Sequence, residues 1–139
     1  MNAEDYTVLI QGPLNSFSLN KIQDNYLNKA GKVVISHWKS DDPNLMPAWA
    51  EENRDIKIVS ETLPSFEGKE LLDEASTFYY AIVSTYMGIS ASETKYVFKT
   101  RSDEYFGDIL PFFEEFEKDD DKFLFGSVIT RAFSQVPYH

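Results

Sequence analysis

Arg101 and Asp103 stand two positions apart, directly after an apolar run that begins at Tyr96. The run predicts a buried, central β-strand, and ligands of open α/β sheets bind in the crevice beyond the carboxyl ends of the strands. A guanidinium and a carboxylate in that place could hold a phosphate and a cation. Surface ion pairs at strand ends are just as common, so a purely structural role for the pair has similar weight.

Polar or small residues also follow two earlier predicted strands. Tyr6–Gln11 is β-branched and apolar, and it predicts a first strand that is buried on both faces and ends at Gly12 and Pro13. Gly12 lets a ligand approach the backbone, although an ordinary strand-to-helix turn has the same composition. Residues 32–36 predict a second strand. In the polar loop that follows it, one side chain could meet a base or a ribose.

This loop contains His37 and the pair Asp41-Asp42. A lone histidine is structural far more often than catalytic. The two aspartates resemble metal ligands, but Asp-Asp-Pro is a common turn signal, and the turn is the favoured interpretation. Spacing alone therefore assigns no catalytic centre here.

The remaining pattern predicts the elements that position these residues. Apolar residues from Leu19 to Ala30 recur at helical spacing and predict a helix that ends near Gly31. Residues 71–86 predict the longest helix, with its apolar stripe against the sheet and its end at Gly88. Alternating strands and helices with short crossovers predict an α/β fold with a mostly parallel sheet. Further predicted elements are a short helix within 45–53, a strand over 56–60, a loop over 62–69, a helix over 109–116 with Pro111 in its first turn, and a fifth strand over 123–129.

Composition limits the function classes. The chain has 139 residues, which is enough for one domain with a core, and it has no cysteine, which excludes disulfides and thiolate catalysis. Its formal charge is −10, with many acids between Asp103 and Asp121, so nucleic acid and anionic membrane surfaces are poor partners. No signal peptide and no apolar run of membrane-spanning length are found. These features predict the cytosolic side of a cell, an infected host cell included.

Several well-known chemical motifs are missing from the sequence. There is no phosphate-binding P-loop, no dinucleotide-binding G-x-G-x-x-G after the first strand, no serine-hydrolase G-x-S-x-G and no H-E-x-x-H zinc motif. Repeated strand–helix units with polar strand ends remain. They suit a nucleotide or a phosphosugar ligand.

Four short motifs, taken in order, resemble those of a glycosyltransferase family. They are Ile10-Gln11-Gly12-Pro13, Ser36-His37-Trp38-Lys39, Ser84-Thr85-Tyr86-Met87-Gly88 and Lys99-Thr100-Arg101-Ser102-Asp103. The ordered set resembles the WavE-type glycosyltransferases of lipopolysaccharide synthesis. It is also similar to the N-terminal glycosyltransferase domains encoded by chlorella-type large DNA viruses. Each motif alone is short, but together they span most of the chain.

The resemblance implies a GT-A type fold for residues 1–139, a Rossmann-like mixed and mostly parallel sheet flanked by helices. It implies a nucleotide-sugar donor, with a UDP-sugar favoured, a glycan acceptor, and usually Mn²⁺ or Mg²⁺. Asp103 falls on the last position of the family's Asp-x-Asp motif and is the implied metal ligand. Arg101 replaces the first Asp, so either a cation on Asp103 or Arg101 itself would neutralise the diphosphate. The implied nucleotide-binding residues are Gln11, Gly12, Pro13, Ser36, His37, Trp38, Lys99, Arg101 and Ser102.

Two further features of the resemblance bear on activity. The family often has an Arg-Gln pair where this chain has Tyr80 and Ala81, so a nucleotide contact is lost here or replaced by stacking. Val136-Pro137-Tyr138-His139 resembles the start of a segment that continues into another acidic motif. The resemblance thus implies the donor-binding half of a longer enzyme, truncated at His139, with acceptor contacts and the catalytic base beyond it. No catalytic residue is assigned.

Three hypotheses follow. The first is the donor-binding domain of a glycosyltransferase. The second is a non-catalytic module that binds a nucleotide or a sugar phosphate through the same strand ends. The third is an acidic interaction domain whose stretch from Asp103 to Asp121 faces a basic partner; added salt would weaken that association strongly.

Overall fold

The computed structural model describes residues 2–14, 16–63, 73–104 and 106–118. Contacts divide the chain into a unit Asn2–Ile109, which holds the whole described sheet, and a second unit made of Met1 and Leu110–His139. The predicted strand over 123–129, the motif at residues 136–139 and most of the predicted loop over 62–69 lie outside the described residues.

The described residues form one sheet of four strands, β1 Tyr6–Gln11, β2 Lys32–Trp38, β3 Ile56–Glu61 and β4 Tyr96–Arg101. The strand order is β3-β2-β1-β4, and all three pairings are parallel. The predicted α/β class and parallel sheet are confirmed, and this strand order is compatible with a Rossmann-like fold. β1 and β2 are rich in apolar and β-branched residues because a parallel strand with neighbours on both sides is covered on both faces.

Four α-helices connect or follow these strands. They are α1 Ser16–Asn25, α2 Ala48–Glu52, α3 Asp73–Ala91 and α4 Leu110–Glu117, with short 3₁₀ turns at Ala3–Asp5 and Pro43–Leu45. Pro111 lies in the first turn of α4, as predicted. The predicted end of the first helix near Gly31 is wrong. The backbone N–H groups of Tyr26 and Leu27 both donate to the Ile22 carbonyl, at 3.0 and 3.1 Å, and this closes α1 five residues before Ala30.

The predicted end of the long helix at Gly88 is also wrong, because α3 continues to Ala91. Gly88 is buried where the helix passes closest to the sheet. A methyl group added there would overlap the side chain of Leu9 in β1. The glycine therefore permits close helix–strand packing instead of terminating the helix.

α3 contacts the sheet through small residues and turns large apolar side chains outward. Ser84 and Gly88 are buried, whereas Phe78 and Tyr86 are 70% and 72% exposed and Ile82 is 50% exposed. The prediction that the apolar stripe faces the sheet is wrong for these three side chains. In α3, both the large apolar residues and the small residues recur at helical spacing. The small residues allow the helix to approach β1 closely.

The prediction that Tyr96–Arg101 is a buried, central strand is wrong for the described sheet. β4 pairs only with β1 among the described strands, and most of its residues are half-buried or exposed. β1, which has a neighbour on each side, is buried along its whole length. Within the described sheet, β1 and β2 are therefore the central strands and β4 is an edge strand.

Candidate functional site

The sheet has a topological switch point at β1. The chain moves from β1 to β2 to β3 in one direction, and then returns past β1 to form β4 on its other side. The hydrogen-bond ladders continue one residue beyond the strands, since Gly12 N donates to Ser36 O at 3.0 Å and Ser102 N donates to Gln11 O at 2.8 Å. The ladder thus brings Gln11, Gly12 and Ser102 together at the edge where ligands of open α/β sheets bind.

Gln11 places an unpaired acceptor at this edge. Gln11 is 7% exposed, and its Oε1 atom is buried without a hydrogen-bond partner among the described residues. Leu9, two positions earlier on the strand, packs against Gly88, so alternation directs the Gln11 side chain to the face that α3 covers. Leaving a buried acceptor unpaired costs about 1–3 kcal/mol, which makes this amide a group that a ligand can satisfy.

Gly12 makes the turn after β1 with a φ of +127°, a conformation that side-chain-bearing residues rarely adopt. A Cβ atom there would lie 2.7 Å from the Ser102 hydroxyl oxygen. Both facts require a glycine at this position, and they keep the end of β1 and the residue after β4 in direct contact. Pro13 follows and is exposed.

β4 supplies two cations to the same face as Gln11. Arg101 is in register with Gln11, and Lys99 is in register with Leu9. Lys99 is an exposed residue, but partial desolvation of its side chain lowers its pKa below the usual 10.5; the neighbouring carboxylate of Glu104 opposes this shift and Arg101 adds to it. No carboxylate among the described residues lies within ion-pair distance of Lys99 Nζ.

Arg101 Nη2 lies 2.6 Å from Asp103 Oδ2, and both side chains are about half exposed. The loop beyond them is tied to the sheet. Glu104 N donates to Arg101 O at 3.1 Å, and Phe106 N donates to the Tyr26 hydroxyl at 3.2 Å. The predicted pair therefore exists, and its two side chains bind each other at a fixed place at the carboxyl end of β4.

Ser36 and Trp38 lie at the end of β2 but serve the packing of α3. Ser36 is fully buried and its hydroxyl donates to the Ser84 carbonyl at 2.6 Å. Trp38 is buried, and its ring meets Tyr80 edge-on with centroids 5.8 Å apart. Their role in binding a nucleotide stays a prediction, since in this structure both side chains join β2 to the helix.

His37 forms a contact that the sequence did not reveal. Its Nδ1 lies 3.0 Å from the Trp38 carbonyl and 3.3 Å from Asp41 Oδ2. Both neighbours are acceptors, so Nδ1 carries a proton and donates to them. The same Asp41 oxygen accepts from Leu14 N at 3.1 Å and Trp38 N at 2.9 Å, and thereby joins the turns after β1 and β2.

The predicted turn at the aspartate pair is confirmed. Asp42 accepts a hydrogen bond from Asn44 N at 2.9 Å and caps the turn that begins at Pro43. What the turn signal did not show is that Asp41 points back into the structure. An aspartate four residues after a histidine is too common a spacing to indicate that contact.

The described residues offer a poor fit to a divalent cation. They contain no group of three His, Cys, Asp or Glu side chains that could share an ion. Asp103, the implied ligand, is already bound to the Arg101 guanidinium. Glu104 Oε2 instead faces the strand end, 3.5 Å from the Thr100 hydroxyl and 3.4 Å from Arg101 N.

A shallow hollow of about 250 Å³ lies at the opposite, amino-terminal end of the strands. Its walls carry Lys32, Asp55, Lys57 and Glu93, together with the last residues of α3. Four of the charged groups there form two ion pairs, Lys32 with Asp55 at 2.6 Å and Lys57 with Glu93 at 3.2 Å. The hollow is thus far from the switch point and holds none of the predicted site residues.

Comparison of the chain with protein-family models, with curated proteins and with solved structures gave no match. Within the described ranges, no helix has the combined length and hydrophobicity needed to cross a membrane. The family resemblance of the four motifs stays a prediction, and the geometry of the switch point is the basis for a functional proposal.

Proposed function

We propose that this chain binds a nucleoside-diphosphate sugar at the β1/β4 switch point, as the donor-binding part of a GT-A glycosyltransferase that transfers the sugar to a glycan acceptor. A UDP-sugar is the favoured donor. The observation that carries the proposal is the buried Gln11 Oε1, which has no hydrogen-bond partner among the described residues and belongs to the residue in register with Arg101. The motif resemblance supplies the reaction type.

The switch point offers two kinds of complementarity to such a ligand. Gln11 Oε1 can accept a hydrogen bond from an N–H or O–H group of a nucleoside, and the ligand would thereby relieve its unpaired state. Lys99 and Arg101 lie on the same face and can bind the diphosphate, which carries the opposite charge. The two groups match the uncharged and charged ends of one ligand.

In the proposed reaction the described residues act by binding and by electrostatics. When the sugar leaves, negative charge grows on the diphosphate, and Arg101 together with Lys99 would stabilise it. Lys99 is an exposed residue of β4, so its ammonium group can attract an anion, with water and salt screening the interaction. No step is assigned to a metal ion, because the described residues do not form a site for one.

The test is calorimetric titration of the chain with UDP and UDP-glucose, then with GDP and dTDP. A Gln11→Leu variant is the critical comparison. If a nucleoside uses the free amide oxygen, this substitution weakens UDP binding about tenfold or more and leaves stability equal or higher, since an unpaired acceptor is removed. Lower stability with unchanged UDP affinity would show that Gln11 serves only the fold.

Two other functions would give different results. A binding module without transfer would bind UDP-glucose equally well, but no sugar would reach any glycan acceptor in an assay of the gene product. An acidic interaction domain is favoured by the exposed Glu114, Glu115 and Glu117 on α4. It would bind a polycation in a salt-sensitive manner and show no nucleotide affinity.

A further inference from the structure

The Arg101–Asp103 ion pair occupies the position where a phosphate would have to bind. A guanidinium presents its N–H groups as a planar fork that fits carboxylates and phosphates alike. Nη2 of this fork is bound to Asp103 Oδ2 at 2.6 Å. The carboxylate therefore marks the anion subsite of Arg101 and at the same time fills it.

The pair is held weakly enough for another anion to replace the carboxylate. Its side chains are 54% and 52% exposed. Exposed ion pairs contribute little to stability, because water and salt screen the attraction. Rotation of the Asp103 side chain into solvent would leave the backbone hydrogen bond of Glu104 N to Arg101 O in place.

The surroundings of the pair favour an anion over a cation. A divalent ion at Asp103 would meet the positive guanidinium of Arg101, and the neighbouring carboxylate of Glu104 faces the Thr100 hydroxyl and Arg101 N instead. An entering phosphate would find the guanidinium and, on the same face, the Lys99 ammonium without an ion-pair partner among the described residues.

We propose that the subsite binds a diphosphate without a divalent cation, and that Asp103 is an internal competitor which the diphosphate displaces from Arg101. The inference rests on the proposed function for the nucleoside part of the ligand. It gives Asp103 the opposite role to that of a metal ligand, since the carboxylate would weaken binding.

Two variants with the same chemical change test the competitor role. Asp103→Asn removes the competing charge at the carboxyl end of the sheet. Asp55→Asn makes the same change in the 2.6 Å ion pair with Lys32 at the opposite end. Calorimetric titrations use UDP and, separately, inorganic pyrophosphate, each in EDTA and in Mn²⁺.

Pyrophosphate and UDP are expected to bind in EDTA. Asp103→Asn should tighten both about two- to fivefold, the range that loss of an exposed ion pair allows. Asp55→Asn should leave both affinities unchanged, and Arg101→Ala should lower them at least about tenfold. Thermal unfolding of each variant serves as the folding control.

Other results separate the two claims. UDP binding that needs Mn²⁺ and is lost in Asp103→Asn would overturn the competitor role and leave the proposed function standing. Metal-free pyrophosphate binding that Asp103→Asn tightens, with UDP no tighter than pyrophosphate, would support the competitor role and remove the nucleotide from the proposed function. Absence of binding to either ligand in both conditions would overturn both.

Discussion

The two ends of the parallel sheet differ in whether their polar groups are paired within the chain. At the amino-terminal end, Lys32 pairs with Asp55 and the hydroxyls of Thr7 and Thr94 lie 2.6 Å apart. At the carboxyl end, Gln11 Oε1 has no hydrogen-bond partner among the described residues, and Gly12 adopts a conformation that only glycine tolerates well. Within the part of the chain that the structure describes, the buried polar groups of the first end are thus paired, whereas the second end holds an unpaired acceptor and a constrained glycine.

This difference shows which end of the sheet contains groups that lower the stability of the folded chain. Unpaired buried groups and unusual backbone conformations cost free energy, and in real proteins they concentrate at functional sites. Both ends have an ion pair with the same 2.6 Å distance, Lys32–Asp55 and Arg101–Asp103. The pairs alone therefore do not distinguish the ends, whereas the groups around them do.

The largest expected effect comes from Gly12. Gly12→Ala should lower the free energy of unfolding by about 1–3 kcal/mol, because the positive φ and the close Ser102 hydroxyl both oppose a Cβ atom. Urea denaturation of Gly12→Ala, Ser102→Ala and the double variant separates the effect of the positive φ from that of the contact with the Ser102 hydroxyl. Partial recovery in the double variant is expected. If Gly12→Ala alone were as stable as the natural chain, the backbone at Gly12 would not be constrained, and the two ends of the sheet would not differ in this respect.

A smaller effect is expected from the cations. Lys99→Met should weaken diphosphate binding about three- to tenfold, because a cation on the Gln11 face is lost. Lys57→Met, at the other end of the sheet, is the matched control and should bind UDP like the natural chain. Equal losses in both variants would mean that overall charge, and not the carboxyl end, governs binding.

The pH dependence of Lys99 gives a second measurement on the same variant. Its folded pKa lies below the unfolded value of 10.5, so the folded state binds the proton less readily. Stability of the natural chain should therefore rise between the folded pKa and 10.5, and the Lys99→Met chain should lack that rise. Parallel pH profiles of the two chains in thermal unfolding would contradict a lowered pKa of Lys99.

The smallest effect concerns Asp55. The hydrogen bond from Lys32 holds the pKa of Asp55 below its usual 3.8. Its contribution to stability is present above 3.8 and is lost as the pH falls through the folded pKa. Asp55→Asn should therefore lose slightly less stability than the natural chain on acidification below pH 3.8. A larger loss of stability in Asp55→Asn than in the natural chain would show that the ion pair of Asp55 with Lys32 does not stabilise this end of the sheet.

The strands were the most predictable part of the fold. β1 and β4 occupy the residues that the sequence predicts for them, Tyr6–Gln11 and Tyr96–Arg101, because their β-branched and aromatic residues favour a pleated surface. The position of β4 at the edge of the described sheet was not predictable, since an apolar run does not show how many neighbouring strands a strand has. The sequence likewise placed Gln11 and Arg101 at strand ends but could not show that they are in register.

The helices show why periodicity alone is insufficient. In α3, residues three and four apart are apolar on one face and small on another, and hydrophobicity favoured the wrong face for the sheet. Gly88 had the composition of a helix end, and only the contact with Leu9 reveals its packing role. Asp41 was missed for a similar reason, because its three donors come from a local turn and from a distant strand end.

The position of β1 between β2 and β4 has a consequence for synthesis. Tyr6 pairs with Tyr96 and Gln11 with Arg101, so β1 gains its second neighbour about 90 residues after it is made. At about 5–20 residues per second, a ribosome needs roughly 5 to 18 s to reach that point. During this interval one edge of β1 is open to wrong pairing. The proposed ligand site contains residues from the ends of both β1 and β4, so it is completed only when β4 has left the ribosome.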